Sequence, residues 1–153
     1  MQANHHQAFR LQLLSQEVDR LNGWLSDFEC RNQPLAGLGA SHETLWVRHF
    51  PLPDALGLDD IHIAMVVRDY PIEPPKGLYL LHDERTRLLV SKLSHQFNTF
   101  GDRGFHGAPS VKDYEWICVG YLDGWRYDVN QPARGDNVMK MLVEFWRLLE
   151  AAC

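Results

Sequence analysis

The sequence predicts an α+β domain, and three observations predict it. Apolar residues recur at helical spacing near the start of the chain and again near its end. Between them, "TLWVRHFPLP" (44–53) and "DIHIAMVVRDY" (60–70) are strand-like runs with no helical pattern separating them. A long glycine-containing stretch then precedes one more strand-like run, "YEWICVGYL". Strands that follow one another directly favour an antiparallel sheet, and short connections keep them adjacent.

The elements follow in order. Residues 7–28 read as a helix because Leu14, Val18, Leu21 and Leu25 are spaced by four, three and four, with Gly23 its soft spot. "RNQPLAGLGAS" (31–41) is turn-rich and ends it. The two strands come next, the first stopped by prolines. "YPIEPPKGLYLL" then reads as a proline-rigidified turn entering a third short strand. Pro71, Pro74 and Pro75 cannot donate to a ladder, so they mark a bend outside the sheet.

"ERTRLLVSKLSHQF" can form a short helix with Leu88, Leu89 and Leu93 on one side. "NTFGDRGFHGAPSVKD" is a long loop of the kind that often carries function. At the end, Asp136 can cap a helix over 137–150 in which Val138, Met141, Leu142, Phe145, Leu148 and Leu149 form one apolar stripe. No repeat, low-complexity tract or linker interrupts the pattern, so residues 1–153 are expected to form one domain.

Composition narrows the function classes. The chain has 153 residues, 45% hydrophobic and 23% charged, as an ordinary globular domain has. A net charge of -5 with scattered Lys and Arg argues against a nucleic-acid surface, which needs a concentrated basic stripe. "MQANHHQAFR" lacks the apolar segment of a secretory signal, and no run is long enough for a membrane span. Cys30, Cys118 and Cys153 are odd in number and far apart, which disfavours a disulfide framework. The expectation is a cytoplasmic protein with reduced thiols.

Cys118 is the residue on which the functional reading turns. A lone cysteine in an apolar strand is ordinarily a buried space-filler. Its neighbours change the balance. "YPIEPP" (70–75) follows a strand, "ICVGYLDGW" (117–125) surrounds the cysteine, and an amphipathic helix comes after. In that order these resemble the Tyr-Pro-x-x-Pro-Pro and Ile-Cys-Leu-x-x-Leu landmarks of ubiquitin-conjugating enzymes, especially the divergent bacterial members encoded beside ubiquitin-like proteins. The resemblance covers residues 8–150. It implies a UBC-like fold: an N-terminal helix, an antiparallel meander sheet, a long active-site segment and a C-terminal amphipathic helix.

The departures are specific. The family's His-Pro-Asn is replaced by "HGAP" (106–109), farther from the cysteine, after a longer preceding stretch. The sequence ends after the helix at 137–150, where the typical eukaryotic fold continues with two more helices. The expectation is a truncated, divergent member.

The resemblance implies a transthiolation with Cys118 as carrier, since a thiolate is strongly nucleophilic and its thioester keeps most of the acyl-transfer potential. A reactive Cys118 needs a partly exposed sulfur at the strand's exit. His106 can orient the loop or donate to the oxyanion, or be a solvent-exposed loop histidine. Asp123 can help deprotonate the attacking lysine, as can the neighbouring Asp128 beside Tyr127, but Asp123-Gly124 is equally a turn pair. Trp125 is expected to pack beside the site, and Tyr70, Pro71, Pro74 and Pro75 to form the scaffold of the active-site loop. The first helix, with Arg10 and Arg20 as its basic residues, would hold the contact surface for the activating enzyme.

The implied partners are a ubiquitin-activating-like enzyme, a ubiquitin-like modifier, a protein target and a deconjugating metalloprotease. No cofactor is implied, because the ATP chemistry belongs to the activating enzyme. His82, His95 and His106 are spaced by thirteen and eleven residues, which matches no compact zinc motif. A non-catalytic binding or scaffolding module of the same fold is the alternative, favoured by the missing Asn and disfavoured by the retained cysteine. An unrelated α+β domain is the third reading.

Overall fold

Helix α1 spans Gln2–Ser26, and the chain then lays down strands β1 (Ala36–Leu38), β2 (Thr44–Pro51), β3 (Asp60–Val66) and β4 (Leu78–Leu81). Helix α2 (Glu84–Leu93), strand β5 (Tyr114–Ile117) and helix α3 (Val138–Ala151) complete the order. The computed structural model describes residues 2–27, 35–75, 77–93, 109, 111–117 and 125–151. The five strands form one antiparallel sheet in the order β1-β2-β3-β4-β5. Helix–meander–helix is thus the architecture the sequence predicts. Among the described residues, no helix is long and apolar enough to cross a membrane.

The two terminal helices cover one face of the sheet. Leu14, Leu21 and Leu25 of α1 and Val138, Met141, Leu142, Phe145 and Leu149 of α3 meet Leu45, Val47, Ile61, Ile63, Met65, Leu78, Leu80 and Ile117 in one core. Alternation along each strand sends these residues to the helix side, as a half-buried sheet requires. Strand β2 carries a register shift between Val47 and Phe50. An extra residue there keeps Phe50 facing the core, where it stacks on Phe145 with centroids 5.5 Å apart. The opposite face has a smaller apolar cluster of Ala64, Tyr79 and Trp116, with Val66, Val111 and Tyr114 packed against it.

The sequence-based boundaries shift in physically explicable ways. Helix α1 begins at Gln2 rather than 7. A short strand, β1, lies inside the stretch read as turn. Asn22 of α1 holds its start: Oδ1 accepts from the Leu35 and Ala36 amides at 2.8 and 2.9 Å, and Nδ2 donates to the Ala36 carbonyl. β3 stops at Val66 rather than continuing to 70: the Val67 amide still donates to Glu43 O in register with β2, but the Val67 carbonyl accepts from the Tyr70 amide and turns the chain. Leu88 is exposed, and α2 buries Thr86 with Leu89 and Leu93 instead. Asn137, not Asp136, caps α3: its Oδ1 accepts from the Lys140 amide at 2.9 Å. Asp136 is used elsewhere, accepting from the Arg126 amide at 2.7 Å.

Candidate active site

Strand β5 runs beside β4 with Leu78 opposite Ile117 and Tyr79 opposite Trp116. It therefore brings the chain to Ile117, the residue before Cys118, against the end of the "YPIEPP" turn. Gly77 makes this approach possible. Its φ is +84°, and a Cβ there would lie 2.4 Å from Trp116 Nε1 and 2.7 Å from the Ile117 carbonyl. Only glycine fits both the left-handed backbone and the close contact. Trp116 is fully buried over it.

The turn itself is fastened by backbone hydrogen bonds. The Tyr70 amide donates to Val67 O at 3.3 Å, Glu73 to Asp69 O at 3.0 Å, and Gly77 to Pro75 O at 3.1 Å. The Tyr70-Pro71 peptide is cis. Pro75 is buried, Pro71 and Pro74 half-buried, and Ile72 is exposed at the tip. These are the scaffold residues named from the sequence, and they do form one compact bend outside the sheet.

On the far side of the cysteine segment, the chain returns to the same turn. Trp125 Nε1 donates to the Pro71 carbonyl at 3.1 Å. The Tyr70 ring meets Trp125 edge-on at 6.0 Å and Tyr127 edge-on at 5.6 Å. Tyr70 is thus the hub of an aromatic cluster. The segment after Trp125 is in turn tied to the approach to α3. Arg126 O accepts from the Asp136 amide at 2.8 Å, and Gly135 packs so tightly on Asp128 N and Arg126 O that a side chain would not fit. Asp128 Oδ1 accepts from the Asn130 and Gln131 amides, so its carboxylate is engaged in a local turn.

Beneath the cluster lies a carboxyl that sequence reasoning missed. Glu17 of α1 is fully buried, and its Oε1 accepts from the Tyr70 hydroxyl at 2.7 Å. Burial raises the Glu17 carboxyl above its ordinary range, against the Tyr70 hydrogen bond, Arg20 and the Val138 amide, which favour the charge. Burial also raises the Tyr70 hydroxyl, and the adjacent Glu17 adds to it. Tyr127 is shifted the same way by burial, then by Glu17. A signal was available: Glu17 sits three residues after Leu14 and four before Leu21, on the helix's apolar stripe.

The two basic residues of α1 are both engaged within the chain. Arg10 Nη2 donates to the Val67 and His42 carbonyls, joining α1 to the end of β3 and the β1–β2 turn. Arg20 Nη1 lies 3.5 Å from Glu17 Oε1.

Cys118, His106 and Asp123 lie outside the described residues. Of "HGAP", Pro109 is described: its carbonyl accepts from the Tyr79 hydroxyl, which burial pushes up to about 12. Val111 then packs on the outer apolar cluster, so the chain is led along β4 into β5. Among the described residues no group of three His, Cys, Asp or Glu is arranged to hold a metal. A groove of about 680 Å³ lies elsewhere, between the end of α1 and β2–β3, where Asp60 contacts His49 at 3.3 Å and pairs with Arg85. Its lining includes none of the turn or Trp125.

Comparison with protein-family models, with curated proteins and with solved structures gave no match.

Proposed function

We propose that the chain is a cysteine carrier resembling ubiquitin-conjugating enzymes. Cys118 accepts the C-terminus of a ubiquitin-like protein from an activating enzyme and passes it to an amine on a protein target. One observation carries the reading. The chain is fastened on both flanks of 118–124, at Ile117 through its pairing with Leu78 and at Trp125 through Pro71 and Tyr70. Covalent chemistry needs a nucleophile carried between rigid elements, and the two flanks supply such anchors.

The chemistry has two balanced steps. The Cys118 thiolate attacks the thioester carbonyl and expels the activating enzyme's thiolate. An amine then attacks the new thioester, the Cys118 thiolate leaves, and the amine's proton passes to a base, for which Asp123 is the candidate. His106 is the candidate donor to the oxyanion that forms in each step. The exposed face of α1, with Phe9 on it, is the surface this reading gives to the activating enzyme.

The non-catalytic reading draws support from the Gly and Ala that replace the family's Pro and Asn. Thiol reactivity separates the two. In a Cys30→Ser, Cys153→Ser background, the carrier reading expects iodoacetamide to label folded Cys118 at neutral pH at least as fast as a free cysteine peptide, by intact mass. A thiol that labels only on unfolding supports the scaffold.

A further inference from the structure

The groove between the end of α1 and the β2–β3 connection lies apart from the proposed thiol chemistry. Asp60 opens β3 opposite Pro51, whereas Ile117 pairs with Leu78, beyond the Ala64–Tyr79 pair. The groove and Ile117 are therefore at opposite ends of the sheet. Its volume of about 680 Å³ is that of a site for a small organic molecule.

The β2–β3 connection fixes the rim. A turn of 3-10 helix at Asp54–Leu56 ends at Gly57, whose φ of +70° sends the chain back toward β3. The Gly57 amide donates to Asp54 O at 3.0 Å and the Leu52 amide to Asp59 O at 3.1 Å, closing the loop. Asp54 and Asp59 both line the groove and are exposed. Among the described residues neither forms a salt bridge.

The wall differs from the rim. Asp60 is buried, and its Oδ1 accepts from Arg85 Nη1 and lies 3.3 Å from His49 Nδ1. A carboxylate only accepts, so the hydrogen of the neutral His49 ring sits on Nδ1 and Nε2 keeps its lone pair. Arg85 offsets the charge of Asp60. That leaves two uncompensated carboxylates and one imidazole acceptor, beside the apolar lining of Leu35, Leu52 and Leu58. Among the described residues no three His, Cys, Asp or Glu are arranged to hold a metal, so the cation that fits this rim is an organic one.

We propose that the groove binds a small aliphatic amine as its ammonium ion. The charge lies at Asp54 and Asp59, and the hydrocarbon chain runs along Leu35, Leu52 and Leu58. The three N–H donors of an ammonium are matched in number by the two carboxylates and His49 Nε2. Burial of the methylenes on the leucines adds to the affinity.

The experiment is a ¹H–¹⁵N titration of the full chain with n-hexylammonium chloride, with 1-hexanol and hexanoate as controls. Saturable shifts are expected at the amides of Leu35, His49, Leu58 and Arg85, with both controls at least about tenfold weaker. Affinity should rise by up to about fourfold per methylene from propyl- to hexylammonium. It should fall about tenfold in Asp54→Asn/Asp59→Asn. If that variant fails to fold, the wild type decides: affinity lost between about 0.05 and 0.5 M NaCl upholds the site, and affinity unchanged by salt overturns it. Hexanol binding as tightly as hexylammonium, or no saturable shift at these amides, overturns it as well. Tighter binding of N-acetyl-lysine amide than of hexylammonium overturns the small-amine assignment in favour of a protein side chain.

Discussion

The Tyr70 hydroxyl donates to Glu17 Oε1 at 2.7 Å, joining residues 53 positions apart in the interior. This bond ties the first helix to the proline turn, and Trp125 and Tyr127 pack on the tyrosine ring that makes it. Tyr70→Phe keeps the ring and removes the donor, leaving the carboxyl oxygen buried without its partner. The expected loss is about 1–3 kcal/mol, read from the urea midpoint at unchanged m-value.

Gly77 and Gly57 make a matched pair. Both have positive φ, +84° and +70°, but a Cβ at Gly57 meets open space while one at Gly77 meets Trp116 and Ile117. Gly57→Ala should therefore cost about 1–2 kcal/mol, the backbone term alone. Gly77→Ala should cost about 2–5 kcal/mol, because overpacking adds to it. Equal costs for the two would contradict the tight seating of β5 on the turn.

His62 makes the stability of the fold depend on pH. Its Nε2 lies 2.8 Å from the Tyr114 hydroxyl. Burial lowers its pKa, Arg48 and His49 lower it further, and Asp83 opposes them. A histidine depressed in the fold contributes stability that is present above its ordinary value of 6.5 and lost as pH falls through the folded value. Relative to His62→Gln, the wild type should lose thermal stability as pH drops below about 6.5. Thermal melts from pH 7.5 to 4.5 check this, and a constant difference between the two proteins would refute it.

Much of the fold was legible because it follows from periodicity. The stripes of α1 and α3 and the alternating strands announce themselves, and the prolines at 71, 74 and 75 do lie outside the sheet. What was not legible depends on partners distant in sequence. β1 is three residues with a central glycine, and Asn22 together with β2 makes it a strand. The apolar pattern of β3 runs on to Val67, whose amide keeps the register with Glu43 O, and the strand ends where the Val67 carbonyl accepts from the Tyr70 amide. Asp136 and Asn137 are both competent caps, and only the Arg126 amide, which claims Asp136, decides between them. Near the candidate site, the bend formed by the prolines outside the sheet could be read in advance. Glu17 could not be read so easily, since a glutamate in a helix suggests solvent until Tyr70 is placed above it.

The central claim is that Cys118 carries an acyl group, and one measurement tests it most directly. The full chain is incubated with ATP and with an activating enzyme and ubiquitin-like modifier from the same source, then run on a non-reducing gel. The account predicts an adduct that thiols cleave, a thiol-resistant oxyester with Cys118→Ser, and no adduct with Cys118→Ala. An adduct that survives in Cys118→Ala, or a wild type that forms none while the activating enzyme is visibly charged, would contradict it.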